Sequence, residues 1–169
     1  NTMVRIAPEF TMRRMIDDYY EKYYNKLAER HKKLIQNEFE KAKEIAAWKS
    51  RLIAEWDNIE VINYSFEKTD DNIYKSGHDY KAEIALHVKN LPRENVGVEF
   101  IITRLGKNGE YKYVDSKEFK LVSCKAGKCL YRAVLVPERA GSFYYGIRLY
   151  PKHPDLPHRQ DFYLLRWID

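Results

Sequence analysis

Glycine and proline divide this chain of 169 residues into two unlike halves. Neither residue occurs between Pro8 and Gly77, and all the others lie beyond Gly77. Because glycine and proline punctuate turns and break helices, the long uninterrupted stretch favours helix, and the later part favours short strands joined by turns. The sequence therefore predicts an α+β chain in which helix comes first.

The first half has helical periodicity. Thr11 is a suitable helix N-cap, and Met15, Tyr19, Tyr23 and Leu27 recur every four residues, so we predict a first amphipathic helix from about residue 12 to 27. A second helical pattern runs to residue 56 through Ile35, Phe39, Ala42, Ile45, Trp48, Leu52 and Trp56. Residues 29–33 are a candidate bend but contain no helix-breaking residue, so the sequence fits either one helix or two.

The second half alternates with the period of strands. Ile59 and Val61 open the first such segment, and turn-forming residues separate the rest. The further candidate strands are residues 80–88, 96–103, 110–114, 119–124, 130–136, 141–150 and 161–166. Seven or eight short strands predict an antiparallel immunoglobulin-like β-sandwich in residues 58–169, after a helical segment in residues 1–57.

Charge and hydropathy argue against two classes of partner. The formal charge of +5 is spread along the chain, since residues 1–57 carry 12 basic and 10 acidic side chains and the rest carry 18 and 15. Without a basic stripe we expect no nucleic-acid partner. The apolar runs are far shorter than the roughly 20 residues that span a bilayer, so we expect no membrane segment. We also expect no signal peptide, and we expect the protein in the cytoplasm.

Two cysteines flank a short polar tetrapeptide. If residues 125–128 turn a hairpin, the sulfurs of Cys124 and Cys129 face each other across the strands. A disulfide would then form in an oxidising compartment and two thiols would remain elsewhere. We expect two reduced thiols, because nothing else in the sequence indicates secretion. We expect no metal site, because no histidine has the spacing to complete a set of four ligands.

Both ends of the chain resemble one enzyme family. Near the C-terminus the sequence has a Gly-rich segment, then Arg148-x-x-Pro151-x-His153-Pro154, and finally Arg166-Trp167. This resembles the end of the bacterial and archaeal α-glucan phosphorylases. Near the N-terminus, residues 10–19 are similar to the Phe-Ser-x-x-Arg-x-x-x-x-Tyr opening of a late helix in the catalytic core of that family, with Thr11 in place of serine.

The resemblance implies a fragment of a larger enzyme. Such a parent transfers a terminal glucosyl unit of an α-1,4-glucan to phosphate, giving glucose 1-phosphate, with pyridoxal phosphate on a lysine as its cofactor. No lysine here matches the cofactor motif of the family, so we expect no cofactor, no catalytic residue and no activity in these residues. We expect the helical part to close the catalytic core of the parent and the strands to form an accessory domain.

Candidate site residues follow from aromatic chemistry. Planar rings stack on sugar rings, so Tyr144, Tyr145 and Tyr150 are candidate glucan contacts, although alternation along a strand favours at least one of Tyr144 and Tyr145 in the core. We add His153 as a possible contact, although ordering of its turn is the simpler interpretation. We expect Trp167 to be buried as the anchor of the last strand. The other predicted structural anchors are Phe10, Arg14, Tyr19 and Trp56.

The sequence is compatible with three functions. The first is a non-catalytic part of a phosphorylase with a structural, interfacial or glucan-holding role, and the second is an independent carbohydrate-binding module. The third is an interaction domain that forms homo-oligomers through an apolar helix stripe around Phe39, Trp48 and Trp56.

Overall fold

The computed structural model describes residues 11–67, 69 and 74–168. The predicted anchor Phe10 lies outside these residues. Contacts within the chain group it into two units, Asn1–Trp48 and Lys49–Asp169. The units hold one long helical region and eight strands, so the α+β prediction is confirmed. No helix among the described residues is long and apolar enough to cross a membrane.

The helical region has three consecutive segments. Helix α1 (Met12–Tyr19) begins where the backbone N–H of Arg14 donates to Oγ1 of Thr11 over 3.3 Å, which confirms the predicted N-cap. A π-helical turn, Tyr20–Tyr24, joins it to helix α2 (Asn25–Glu55). Residues spaced four apart drift around an α-helix, because it has only 3.6 residues per turn. The π turn has more residues per turn, so it offsets this drift.

Helix α2 is interrupted, but not at the candidate bend. Residues 29–33 are helical, whereas Gln36 is extended and Asn37, Glu38 and Phe39 have positive φ angles of 49°, 54° and 65°. Asparagine tolerates this left-handed conformation, but glutamate and phenylalanine rarely adopt it. No glycine or proline marks the break, so the sequence alone did not indicate it.

The change from helix to strand lies where the periodicity predicted it. Helix α2 ends at Glu55, and a 3₁₀ turn, Trp56–Asn58, leads into the first strand. The eight strands are β1 (Glu60–Phe66), β2 (Tyr80–His87), β3 (Val96–Leu105), β4 (Tyr111–Glu118), β5 (Lys120–Lys125), β6 (Lys128–Leu135), β7 (Tyr144–Pro151) and β8 (Arg166–Ile168). Whether this change also separates domains at residues 57 and 58 stays a prediction.

The strands form two antiparallel sheets of four. The first sheet has the order β1-β2-β6-β5 and the second has the order β4-β3-β7-β8. In the first sheet Ala82, Ile84 and Leu86 are buried at alternate positions of β2, and in the second sheet Val98 and Leu149 are fully buried register partners. Alternation of apolar residues thus buries one face of β2, whereas β3 is buried on both faces from Val96 to Ile101.

Hairpin β5–β6 corrects the prediction for the cysteines. Ala126 and Gly127 form a tight turn with φ angles of 48° and 75°, and Cys124 and Cys129 are register partners across it. A disulfide joins them, so the expectation of two reduced thiols was wrong. The hairpin itself was predicted correctly, and the error came from inferring the redox state from the expected compartment.

The last strand is shorter and later than predicted. Strand β8 covers only Arg166–Ile168, whereas we expected a strand over residues 161–166. Phe162 instead buries its ring below the ammonium group of Lys49, which lies 5.4 Å from the ring centre. The apolar residues before β8 therefore anchor a loop and pair with no strand. Arg166 closes the unit by donating from Nη2 to the carbonyl oxygen of Ile59 over 2.6 Å.

Candidate functional site

One row of side chains crosses all four strands of the second sheet. Glu99 of β3 is the register partner of Glu118 on one side and of Arg148 on the other, and Arg148 is the partner of Trp167 in β8. Register partners lie on the same face of a sheet. We call this side of the sheet, which carries Glu118, Glu99, Arg148, Tyr150 and Trp167, the polar face.

A buried carboxylate lies at the centre of the polar face. Glu99 is 1% exposed, and it accepts hydrogen bonds from Nε of Arg148 and, over 2.6 Å, from Nη1 of Arg159. Burial opposes the charge of Arg159, but the hydrogen bond and charge of Glu99 outweigh burial and raise the pKa of the arginine. A buried carboxylate is costly unless it is paired and hydrogen-bonded, and both conditions are met here.

Tyr150 lies beside this cluster on the same face. Its ring covers Gly97, its register partner, so closely that a Cβ at Gly97 would overlap the ring. Burial, together with the nearby carboxylate of Glu118, raises the pKa of Tyr150 well above its ordinary value. The phenol is therefore neutral at physiological pH, and the guanidinium of Arg159 lies 5.3 Å from its ring centre.

A cavity of about 370 Å³ opens on the polar face at this point. Within it, Lys152 donates to Glu118 over 2.5 Å, beside the pair of Arg159 and Glu99. The lining residues are Glu99, Ser116, Glu118, Tyr150, Pro151, Lys152, His153, Leu156 and Arg159. Its charges are largely paired with one another, so the cavity offers hydrogen-bonding groups without a strong field of either sign, and the buried ring of Tyr150 forms part of its wall. Such a lining suits a neutral ligand rich in hydroxyl groups.

His153 shapes the rim of the cavity. Its Nδ1 accepts the backbone N–H of Asp155 over 3.2 Å, and its carbonyl oxygen accepts the backbone N–H of Leu156 over 3.2 Å. The histidine therefore orders the turn after β7, which was the simpler interpretation of its sequence position. A role in ligand contact stays a prediction.

The structure brings two of the four candidate contacts together. Tyr150 and His153 both line the cavity, whereas Tyr144 lies farther along β7 and is 45% exposed. The expectation that Tyr144 or Tyr145 is buried was wrong, because Tyr145 is 52% exposed. Tyr145 nevertheless stacks on Phe100 with ring centres 5.0 Å apart, at the margin of the buried face.

The predicted anchors have different environments. Trp56 is buried at 3% exposure, but Tyr19 is half exposed and Trp167 is 49% exposed. The expected burial of Trp167 was therefore wrong, because its ring lies across the surface of the sheet beside Arg148 instead of entering the core. The proposed interaction stripe is not a single exposed surface, since Trp48 and Trp56 are buried and Phe39 is exposed.

Sequence reasoning missed the residues at the centre of the site. Glu99 had a usable signal, because it is the only charged residue in the run Val96–Leu105 before Arg104, a strand that is otherwise mostly apolar. Gly97 and Arg159 carried no such signal. Within the described ranges, no group of three or more His, Cys, Asp or Glu side chains could hold a metal ion.

Comparisons with known proteins agree with the resemblance that both ends of the chain show. The family described as "Glycogen phosphorylase C-terminal domain" matches residues 56–169. A maltodextrin phosphorylase of Thermococcus litoralis is 29% identical over an alignment of 168 residues, which covers 96% of this chain and 19% of the relative. The chain thus spans about a fifth of the length of that relative. No solved structure matches significantly.

Proposed function

Since this chain belongs to the glycogen phosphorylase C-terminal domain family, we propose that it is a non-catalytic part of an α-glucan phosphorylase and that its polar face holds the glucan. The parent would carry out phosphorolysis of an α-1,4-glucan to glucose 1-phosphate in the rest of its chain. The observation that carries the glucan-holding role is the cavity that joins Tyr150 to the paired charges of Glu118 and Lys152.

The chemistry of the cavity supports a sugar ligand. A sugar is neutral and carries hydroxyl groups that donate and accept, so it bonds to paired ionic side chains without disturbing their balance of charge. Glu118 supplies acceptors and Lys152 and Arg159 supply donors, while the buried ring of Tyr150 forms part of the cavity wall. An anionic ligand would instead face the carboxylates of Glu99 and Glu118.

The residues here do not fit the cofactor of the family. Pyridoxal phosphate needs a lysine for its Schiff base, and such lysines are activated by desolvation. No lysine in the described part of the chain is buried. We therefore place the cofactor in the rest of the parent enzyme and assign it no residue here.

We also propose that the two sheets pack face to face as an immunoglobulin-like sandwich. Phe66 of the first sheet supports this, because its ring centre lies 5.6 Å from that of Phe100 and 5.4 Å from that of Tyr145 in the second sheet. Nuclear Overhauser contacts between the rings of Phe66 and Phe100 would test the packing. Their absence in a folded sample would contradict it.

The catalytic core is the proposed partner of the helical region. The relative aligns with almost the whole chain, whereas the family match begins at residue 56, so the helices align with a part of the relative that precedes the C-terminal domain. Met15, Tyr19, Tyr23 and Leu27 are all exposed here. We propose that the core covers this apolar stripe in the parent, and that the protein resides in the cytoplasm, where the Cys124–Cys129 disulfide is an exception to the usual reduced state of thiols. A homo-oligomer through the same stripe is the alternative.

Affinity electrophoresis in gels containing glycogen or maltodextrin tests the glucan-holding role. We expect the wild-type chain to be retarded, and the double variant Glu118→Gln with Lys152→Met to bind about tenfold more weakly, because each loses charged hydrogen-bond groups. The matched control is Glu83→Gln with Arg132→Met, which removes a cross-strand ion pair of the first sheet. Equal retardation of all three proteins, or none of the wild type, would refute the role.

A further inference from the structure

The indole of Trp167 packs beside Gly146 on the second sheet. A Cβ built on Gly146 would lie 3.0 Å from Cζ3 and 3.3 Å from Cε3 of the indole, so this edge of the ring lies close to the glycine backbone. The guanidinium of Arg148 lies 5.6 Å from the ring, and Glu99 holds that guanidinium in turn. The side chain is 49% exposed, so the ring is fixed in place and still presents surface to a ligand.

Two tyrosines extend this exposed aromatic surface. Tyr144 precedes Gly146 by two residues in β7, so its side chain lies on the same face of the strand. Its ring meets that of Tyr111 edge to face, with centres 5.1 Å apart, and the two side chains are 45% and 62% exposed. We call Trp167, Tyr144 and Tyr111 the aromatic platform.

One side chain connects the platform to the cavity. Arg148 contacts the Trp167 ring and bonds to Glu99, which lines the cavity. Flat exposed rings next to hydrogen-bonding groups match a pyranose, which has apolar C–H faces and polar edges. A ligand longer than one sugar can therefore contact both places on the polar face.

We propose that Trp167 is a sugar-stacking residue, and that an α-glucan chain runs from the cavity across the aromatic platform. This inference rests on the proposed glucan-holding function and extends its site to residues outside the cavity. Gly146 is then a positioning residue, because a Cβ at this position would push against the nearest edge of the indole.

Fluorescence quenching tests the stacking directly. Trp48 and Trp56 are buried at 9% and 3% exposure, so Trp167 is the tryptophan that acrylamide reaches. We expect maltoheptaose to protect it from quenching and cellopentaose, whose β-1,4-linked chain has a different shape, to protect it far less. Full quenching of Trp167 in the presence of saturating maltoheptaose would overturn the inference.

Variants test the contribution to affinity. On maltodextrin gels we expect Trp167→Ala to bind about tenfold more weakly and Trp167→Phe to lose less, because a smaller ring still stacks. Gly146→Ala should weaken binding with Trp167 still present, because the added methyl group displaces the ring. Tyr64→Ala is the matched control, since Tyr64 is a 46% exposed aromatic residue of the first sheet and should bind as wild type does.

The results separate this inference from the function on which it rests. If the wild type binds no glucan, both fail. If the Glu118 and Lys152 variant loses binding but Trp167→Ala and Gly146→Ala do not, the cavity stands and the platform is refuted. If Trp167→Ala does not fold by circular dichroism, Trp167→Phe, Gly146→Ala and the quenching of the wild type decide. If the Trp167 and Gly146 variants bind glucan as wild type does and change only in their association with the catalytic core, the platform is a protein contact and the inference is overturned.

Discussion

At the scale of single residues, burial of Glu99 is the least expected feature of the chain. It lies in strand β3 between Val98 and Phe100, where an apolar side chain would pack without cost in solvation. Two arginines from distant parts of the sequence offset the cost of burying its carboxylate. The two arginines of the polar face therefore account for the charged residue in this strand, and the local sequence alone does not explain its presence.

Glu99→Ala should destabilise the fold by about 2 kcal/mol. This is less than the ~3–5 kcal/mol typical when a fully buried ion pair loses one partner, because Arg148 and Arg159 are 26% and 44% exposed and regain water. Urea denaturation at neutral pH measures the change. Glu94→Ala is the control, since Glu94 is exposed and should change stability little. Equal stability of the two variants would contradict the structural role of Glu99.

Tyr131 should make stability fall at alkaline pH. Burial raises the pKa of Tyr131 to about 12 from an ordinary value near 10, so the folded state favours its neutral form. That contribution is complete below pH 10 and is lost as the pH rises from 10 to about 12. A shift of this size corresponds to roughly 3 kcal/mol.

The variant Tyr131→Phe isolates this effect. At pH 7 it loses the hydrogen bond from the phenol to the carbonyl oxygen of Arg93, which costs about 1 kcal/mol. Phenylalanine does not ionise, so its deficit against wild type should shrink between pH 10 and 12 or reverse. Urea denaturation at pH 7, 9, 10.5 and 11.5 measures the difference. A deficit that stays constant over this series would contradict the assignment.

At the scale of elements, hairpin β5–β6 combines a tight turn with a covalent link. We expect the purified chain to have no free thiol and a mass lower by two hydrogens than the reduced chain. Reduction should lower the free energy of unfolding by about 2 kcal/mol at most, because the disulfide closes only a short loop. Thiol titration with and without reductant, followed by thermal melts, measures both. Two reactive thiols in a sample prepared under air would refute the pairing.

The apolar stripe of the helical region should cause self-association when the chain is studied alone. Tyr19 and Tyr23 are half exposed, and their ring centres lie 5.8 Å apart. Exposed apolar patches commonly drive association. Light scattering over a range of concentrations should show oligomers, and Tyr19→Lys with Tyr23→Lys should yield monomers. The control Tyr111→Lys alters an equally exposed tyrosine of the second sheet and should not. A chain that is monomeric at every concentration would contradict this prediction.

Element types were predictable where a pattern repeats over many residues. The alternation in β2, from Tyr80 to Leu86, and the tight turn at Gly127 both gave correct elements. The break at residues 36–39 was not predictable, because three residues there adopt left-handed backbone without a glycine. Strand β8 was misplaced, because the buried ring of Phe162 has the same apolar character as a residue of a strand.

At the scale of the whole molecule, the polar face depends on sheet order. The row consists of Glu118, Glu99, Arg148 and Trp167, which come from β4, β3, β7 and β8. Strands β5 and β6 separate the two pairs in the chain, and only the sheet order β4-β3-β7-β8 with its register places the four side chains in one row. A single sequence contains no information on that order beyond the count of strands. The candidates that sequence did identify, Tyr150 and His153, belong to one short segment whose motif was visible by itself.

Because Arg148 contacts both the indole of Trp167 and the carboxylate of Glu99, we expect these two residues to be thermodynamically coupled. A change at either residue would alter the surroundings of the same guanidinium, so the costs of substituting Trp167 and Glu99 should not add, as they do for independent sites. By the same linkage, occupation of the platform and occupation of the cavity would each influence the affinity of the other, and the two would behave as one cooperative surface.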